Sequence, residues 1–199
     1  MPSPARRKKE AAAIRVIASD RLYQGAVSLR RDRFLINGRV VEKEIVEHRP
    51  SVGILAVVDD KEDSLILVEQ YRRAPDRTLL EIPAGKIEDG ETPGQAALRE
   101  MDEEIGYYPG RLQPFLKWYL APGYDTELMH LFVATGLEKI KEKQRSKMDD
   151  DENIVARRVK LSSAVKKCFN GEIIDAKSIA AILAYYHHHR YHHHYSQSE

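Results

Sequence analysis

The segment of this chain that most constrains its fold is residues 92–106, because both of its ends carry helix signals. Thr92 is an N-cap candidate, Pro93 suits the first helical position, and Gln95 completes a capping box. Gly106 is the residue type that commonly ends a helix. We therefore predict a helix between these signals, and its apolar face predicts that it packs on a sheet. That face consists of Ala97, Leu98, Met101 and Ile105.

The opposite face of the predicted helix is acidic. Glu100, Glu103 and Glu104 stand at i, i+3 and i+4, which places three carboxylates within one turn. Like charges so placed repel by about a few tenths of a kcal/mol per pair, and a bound cation would relieve this repulsion. Carboxylate oxygens without cysteine or a histidine pair suit Mg²⁺ or Mn²⁺ rather than zinc. A solvated acidic face is the alternative that these three residues alone leave open.

The rest of the chain predicts an α+β fold in which a mixed sheet has helices on both sides. Apolar runs ended by turn residues predict strands, and apolar residues at helical spacing predict two late helices. The predicted strands are 51–59, 64–72, 79–83, 115–123, 127–134 and 153–161. The predicted helices are 163–169 and a last one that begins after Asp175.

The N-terminal part predicts a small β-rich unit over residues 14–48. Asn37-Gly38 stands between two strand patterns and predicts a type I′ hairpin turn. So small a unit cannot bury a core alone, and we expect it to lean on the rest of the chain or on a second subunit. We further predict a flexible basic arm over 1–13, a main domain over 49–186 and a solvated histidine-rich tail over 187–199.

Composition excludes several classes of function. The chain has 32 Lys and Arg against 31 Asp and Glu, a net charge of +1, so no basic field attracts nucleic acid. Its longest apolar runs are far shorter than the ~20 residues that span a bilayer. No secretory signal is visible, and the single Cys168 fits a reducing compartment. We expect a cytoplasmic protein that binds neither nucleic acid nor membranes.

A pattern of fixed residues surrounds the acidic face. From Gly85 onward the chain reads G-x5-E-x7-R-E-x-x-E-E-x-G, in which Glu91, Arg99 and Gly106 occupy further fixed positions. At about 7% usage of each residue type, seven fixed matches arise by chance about once in 10⁸ starts. The segment resembles the motif of the Nudix hydrolase superfamily, although Tyr107 stands where an aliphatic residue is usual. The resemblance covers roughly residues 20–186 and implies the Nudix fold.

Three further segments resemble the ADP-ribose pyrophosphatases within that superfamily. Gln70-Tyr71-Arg72 precedes the motif, Glu81-Ile82-Pro83-Ala84-Gly85 opens it, and Ala121-Pro122-Gly123 follows it. This resemblance implies metal-dependent hydrolysis of ADP-ribose to AMP and ribose 5-phosphate. Two alternatives stay open. One is hydrolysis of another nucleoside diphosphate sugar, such as GDP-mannose or an ADP-sugar, and the other is a sensor that binds ADP-ribose without cleaving it.

The resemblance also implies a metal site and catalytic groups. Mg²⁺, or Mn²⁺, would be held by Glu100, Glu103, Glu104 and the carbonyl oxygen of Ala84. The general base would come from a late acidic loop, where Glu152 is our choice. Asp151 of the same loop and Glu127, earlier in the chain, are alternatives. Arg99 would orient a glutamate, and Glu103 would hold metal or water. Gly85, Glu91 and Gly106 would maintain the structure of the motif.

Substrate contacts and assembly are the last implications. An arginine fork suits a diphosphate, and an aromatic pair, for which Tyr23 and Phe34 are candidates, suits adenine. Members of the family are typically dimers with exchanged N-terminal strands, so we predict a homodimer. The predicted substrate residues are Arg72, Arg73, Glu81, Pro122, Gly123 and Glu127.

Overall fold

The computed structural model describes residues 14–58, 63–141 and 153–195, and it describes side chains as far as residue 190. The chain divides into two compact units. The smaller one contains the described residues up to His48 together with Ala121–Thr126, and the larger one contains Arg49–Leu120 and the chain from Glu127 onward.

The smaller unit is a three-stranded antiparallel sheet. Its strands are β1 (Arg15–Gln24), β2 (Ser28–Ile36) and β3 (Arg39–Glu47), in the order β1-β2-β3. Asn37 and Gly38 have φ angles of 52° and 76°, so both central residues adopt the left-handed conformation that a type I′ turn requires. The predicted hairpin turn is confirmed.

The smaller unit has no apolar core of its own among its described residues. The only residue there that falls in the buried class is the polar Asp32. Large apolar side chains of its first strand instead face solvent: Val16 is 60% exposed and Tyr23 is 61% exposed. Burial of apolar surface is the dominant stabilising term in folding, so the expectation that this unit needs a partner stays a prediction.

The larger unit is built on a seven-stranded mixed sheet in the order β10-β5-β4-β9-β8, with β6 on β5 and β7 on β4. The central strands β4 and β9 run parallel, and every other pair is antiparallel. The strands are β4 (Ser51–Val58), β5 (Ser64–Arg72), β6 (Arg77–Glu81), β7 (Ala84–Lys86), β8 (Tyr107–Tyr119), β9 (Leu128–Lys139) and β10 (Ile154–Lys160).

Three strands differ clearly from the sequence prediction. Strand β7 lies in a segment that we predicted as loop, and β9 continues to Lys139, past the predicted end at residue 134. Strand β8 begins at Tyr107, well before the predicted start at residue 115, and ends at Tyr119, before the predicted end at residue 123. Pro109 and Pro114 lie inside β8 and weaken its strand signal. They are tolerated because β8 is an edge strand, where a missing backbone donor need not break a ladder.

The predicted central helix is confirmed, with a change of geometry in its last turn. Helix α1 (Pro93–Glu100) begins with the predicted capping box, in which the Gln95 N–H donates to Thr92 Oγ1 at 3.3 Å. A π-helical turn, Met101–Ile105, continues it to Gly106, whose φ is 68°. No residue type in this turn predicts the change from α-helical to π-helical geometry.

The two late helices are α2 (Leu161–Asn170) and α3 (Ala176–Tyr195). Helix α3 runs through the histidine-rich segment, so the predicted solvated tail is helical as far as Tyr195. The His188 ring lies edge-on to Phe115 with centroids 5.4 Å apart. No helix within the described residues has the length and apolar character that crossing a membrane requires.

The sheet of the larger unit buries an apolar cluster on each face. Alternating side chains of β4 divide between them: Ile54 packs with α1 and the π-helical turn, and Leu55 packs with α2 and α3. This is the pattern of a strand covered on both sides. The predicted α+β class, with a mixed sheet between helices, is confirmed.

Candidate active site

The loop that joins β6 to α1 is bound to the sheet on one side and to the π-helical turn on the other. The N–H of Ile54 donates to the carbonyl oxygen of Pro83 at 2.9 Å. The N–H of Ala84 donates to Glu104 Oε2 at 3.0 Å, and Glu104 is only 3% exposed. One predicted metal ligand therefore lies against the backbone of another.

Gly85 is required by the space that Glu100 occupies. A Cβ atom at position 85 would lie 1.8 Å from Glu100 Oε1 and 2.0 Å from its carboxyl carbon. A side chain at position 85 would have to displace the Glu100 carboxylate, so the glycine lets the loop backbone approach Glu100 closely.

Arg99 is the cation that holds this acidic cluster together. Its Nη1 donates to Glu100 Oε1 at 2.8 Å and to Glu103 Oε2 at 2.9 Å. Its Nε and Nη2 donate to the two oxygens of Glu91 at 2.8 and 3.1 Å, and Nη2 also donates to the carbonyl oxygen of Lys86 at 2.9 Å. One guanidinium thus joins the helix, the turn and the loop.

These contacts favour the charged forms of Arg99 and Glu91. Hydrogen bonds to Glu91, followed by the charge and hydrogen bonds of the other glutamates, raise the pKa of Arg99 above its ordinary value despite partial burial. The hydrogen bond from Arg99 lowers the pKa of the Glu91 carboxyl. The Arg99–Glu91 pair is therefore a permanent cation bound to a carboxylate at neutral pH.

The donor set suits a hard divalent cation. Glu100, Glu103 and Glu104 offer carboxylate oxygens, which are the ligands that Mg²⁺ and Mn²⁺ prefer. Among the described residues, no three acidic, histidine or cysteine side chains already form a metal-binding arrangement. The reason is visible in the contacts: Glu100 and Glu103 are turned to Arg99, and Glu104 is turned to the N–H of Ala84.

A second ion cluster lies at the end of β6. Glu81 is 1% exposed, and both of its oxygens accept hydrogen bonds from Arg72, from Nε and Nη2 at 2.9 Å each. Lys177 of α3 also donates to Glu81. Burial raises the pKa of the Glu81 carboxyl, but the hydrogen bonds and charges of Arg72 and Lys177 outweigh it and hold this pKa below its ordinary value.

Arg72 connects the two clusters electrostatically. Its pKa is raised chiefly by the hydrogen bonds to Glu81, and the charges of Glu104 and Asp175 add to this effect. The other predicted arginine is differently placed. The Arg73 side chain is 82% exposed and pairs with Asp76 in the turn after β5.

The remaining predicted site residues are divided between the two units. Pro122 and Gly123 lie in an exposed turn of the smaller unit, whereas Glu127 belongs to the larger unit and is half-buried. Tyr23 and Phe34 also belong to the smaller unit. Glu152 and Asp151 lie outside the described residues, so their roles stay predictions.

Sequence reasoning missed Lys177 and its neighbours. Asp175 accepts from the N–H of Ser178 at 3.0 Å, and the N–H of Ile82 donates to Ser178 Oγ at 2.8 Å, so the start of α3 supports the loop. A lysine in the first turn of a helix opposes the helix dipole. That unfavourable position is the signal that could have identified Lys177.

This fold and this motif define a class of protein. The NUDIX domain family model matches residues 47–182, and the chain belongs to that family. The predicted membership in the Nudix hydrolase superfamily is confirmed.

Individual relatives narrow the resemblance. The chain is 39% identical over 170 residues to the ADP-ribose pyrophosphatase of Bacillus subtilis (strain 168), with 84% of this chain and 90% of that protein covered. It is 34% identical over 170 residues to the methanol dehydrogenase activator of Bacillus methanolicus, with the same coverage of 84% and 90%. The predicted resemblance to ADP-ribose pyrophosphatases is confirmed.

A solved structure supports the fold. The chain superposes on the crystal structure of an ADP compounds hydrolase with a TM-score of 0.75, covering 88% of this chain and 93% of that chain. The sequence identity is 21%, so this likeness concerns the fold alone.

We expect Gly85→Ala to destabilise the protein by about 1–3 kcal/mol, because the new methyl group must displace the Glu100 carboxylate. Urea unfolding measures this change. Gly94→Ala is the matched control: position 94 lies in α1 with nothing within 4 Å of an added Cβ, so alanine should be neutral or slightly stabilising there. Equal stability of the two variants would contradict the close packing of Gly85 on Glu100.

Proposed function

We propose that this chain hydrolyses the diphosphate of ADP-ribose to AMP and ribose 5-phosphate with the help of a divalent metal ion. The observation that carries the proposal is the convergence of Glu100, Glu103 and Glu104 with the backbone of Ala84 and Gly85 at one junction of loop and helix. The relatives named as ADP-ribose pyrophosphatases support the choice of substrate.

Four groups of this chain would hold Mg²⁺, or Mn²⁺. They are the carboxylates of Glu100, Glu103 and Glu104 and the carbonyl oxygen of Ala84. When bound, the metal neutralises charge on the diphosphate and makes water a better nucleophile. Arg99 would keep Glu100 and Glu103 in place from the side that it already contacts, and Glu91 would keep Arg99 in place.

Arg72 is the better candidate for gripping the diphosphate. Its guanidinium has a fixed fork of donors, the geometry that phosphate oxygens accept in pairs. Its side chain is 37% exposed, so a ligand can reach it, and the charge of Glu104 acts on it. Arg73 has only the exposed Asp76 pair to orient it and is the weaker candidate.

The other substrate contacts that we propose are Glu81, Pro122, Gly123 and Glu127. Glu81 is buried beneath Arg72, so its part would be to orient that arginine rather than to touch the ligand. Tyr23 and Phe34 are proposed for the adenine ring, since flat apolar surfaces suit a base.

We propose Glu152 as the general base. Strand β10 begins at Ile154, which pairs with Gln70 of β5, so the chain joins the sheet beside the strand that carries Arg72. Glu152 lies just before this strand along the chain, outside the described residues, and this nearness in sequence is what supports the proposal.

A substrate panel tests the proposed function. Purified protein with Mg²⁺ would be given ADP-ribose, GDP-mannose, ADP-glucose, NADH, diadenosine polyphosphates and dGTP, and products would be separated by chromatography. We expect the highest kcat/KM for ADP-ribose, with AMP and ribose 5-phosphate as the products.

Two results of the panel would redirect the proposal. A higher kcat/KM for another nucleotide sugar would retain the metal-dependent reaction but replace the substrate. Tight binding of ADP-ribose without turnover of any compound would identify a sensor and reject the proposed hydrolysis.

Glu152→Gln tests the general base. We expect kcat to fall by ~10²–10⁴ while the affinity for Mg²⁺ changes little, because the amide cannot accept the proton of water. Asp151→Asn and Glu127→Gln test the two alternative bases, and we expect them to lower kcat much less than Glu152→Gln does. If either control loses more activity than Glu152→Gln, the base has been assigned to the wrong residue.

We propose a homodimer with exchanged N-terminal strands. The support is the smaller unit, whose described residues bury no apolar side chain while Val16, Tyr23 and Ile14 of its first strand region are exposed. Exposed apolar patches of this kind mark association sites on proteins. A second copy of the chain is the partner that would cover them.

Sedimentation equilibrium over a dilution series measures this association. We expect a dimer for the unmodified protein and dissociation of Val16→Glu, because a charge would be buried in the interface. Val40→Glu is the matched control, since Val40 is similarly exposed at 63% but lies on β3, the opposite edge strand. A fully active monomer, or equal effects of the two variants, would count against exchange through β1.

The proposed location is the cytoplasm. Cys168 is the chain's single cysteine, and it is free and half-buried in α2. A reducing compartment suits such a thiol.

A further inference from the structure

Glu81 is a fully buried carboxylate that has two cationic partners. Arg72 donates to both of its oxygens, and Lys177 donates to Oε2. The two partners differ in exposure. The Arg72 side chain is 37% exposed, whereas the Lys177 side chain is 12% exposed. Arg72 is therefore the partner that a ligand can reach.

Lys177 is also the more firmly held of the two cations. Its Nζ lies 3.0 Å from Asp175 Oδ2. The same oxygen of Asp175 accepts from the N–H and the hydroxyl group of Ser178 at the start of α3. Ser178 is fully buried and bonded to the backbone of Ile82, so this end of the helix is fixed to the loop.

The presence of Lys177 determines the free energy that is required to move Arg72 away from Glu81. A buried carboxylate that loses its only cation is strongly destabilised, because neither water nor another charge compensates it. Glu81 retains Lys177 when Arg72 leaves, so the carboxylate stays paired. Without Lys177, the same motion would leave Glu81 alone, and Arg72 would be kept in its hydrogen bonds to Glu81.

We propose that Lys177 is a positioning residue that keeps Glu81 paired while Arg72 turns from Glu81 to the diphosphate of the substrate. The inference rests on the proposed function, in which Arg72 binds that diphosphate. Lys177 acts through Glu81 and Arg72 and does not touch the substrate. It therefore sets the affinity for the diphosphate and leaves the reaction of the bound substrate unchanged.

A purely structural role for Lys177 makes a different prediction. In that case Lys177 only fastens α3 to β6, and its removal lowers stability and activity without a selective effect on binding. Two measurements distinguish these roles. One is whether removal of Lys177 changes KM without changing kcat, and the other is whether the change requires Arg72.

The first measurements compare Lys177→Met with Lys177→Arg. We expect Lys177→Met to raise the KM for ADP-ribose about tenfold and kcat to stay within about twofold. Without Lys177, the pairing of Arg72 with Glu81 is favoured over its contact with the diphosphate, whereas the reaction of the bound substrate is not affected. The Kd for ADP-ribose in EDTA, from calorimetry, should rise by a similar factor. Lys177→Arg should keep the KM and the Kd for ADP-ribose close to those of the unmodified protein. Lys166→Met, at an exposed lysine of α2, should change neither constant.

The decisive measurement repeats Lys177→Met in an Arg72→Ala background that also carries Glu81→Gln, so that no buried carboxylate is left without a cation. With Arg72 absent, removal of Lys177 should raise the Kd no further, because no arginine remains to be released. An additive effect in this background, or an unchanged Kd for Lys177→Met alone, would overturn the inference. Thermal unfolding verifies that each variant is folded, and Lys177→Gln replaces Lys177→Met if the latter is not.

The Arg72→Ala variant separates failure of this inference from failure of the proposed function. If Arg72→Ala weakens binding of ADP-ribose and Lys177→Met does not, only the role of Lys177 is wrong. If Arg72→Ala binds ADP-ribose as tightly as the unmodified chain, the proposed grip on the diphosphate is wrong and the role of Lys177 falls with it.

Discussion

The hydrogen bonds of the Arg99 guanidinium are the interaction on which the rest of the site depends. Carboxylates of α1 and its π-helical turn would repel one another if no cation lay between them. Arg99 supplies that cation and also bonds Glu91 and the carbonyl oxygen of Lys86, so the charge that stabilises the helix also fixes the loop. The arrangement of acidic residues is therefore tolerated before any ligand binds, which is how a site with several negative charges can be built on a stable helix.

The site contains two ion clusters that differ in whether one of their charged groups can leave. Around Arg99, several carboxylates share one cation, and each retains a role in holding the loop. Around Glu81, two cations share one carboxylate, so one of them can be released without leaving a buried charge unpaired. The first cluster fixes the backbone of the site. The second cluster contains the cation that can be released, Arg72. This arginine lies close enough to the first cluster for the charge of Glu104 to raise its pKa.

Sequence patterns predicted the local parts of this molecule well and the long-range parts less well. The capping box at Thr92, the hairpin at Asn37-Gly38 and the glycine stop at Gly106 are short-range signals, and each was found as predicted. The length of β8 was underestimated because edge position, which makes Pro109 tolerable, is a property of the whole sheet. The motif indicated which residues belong to the acidic cluster, but it gave no sign that Lys177, far away in sequence, completes the neighbouring one.

The parallel pairing of β4 with β9 has a consequence for the order of folding. Ser51 lies opposite Met129, and the entire loop, helix and turn that form the candidate site lie between these two strands along the chain. Closing so long a loop costs chain entropy that only the completed central pair repays. The hairpin of β5 and β6 and helix α1 can form early from local contacts. The sheet that orients them against each other is complete only when β9 arrives, so a nascent chain that ends before Leu128 has the motif but lacks the central strand pair that supports it.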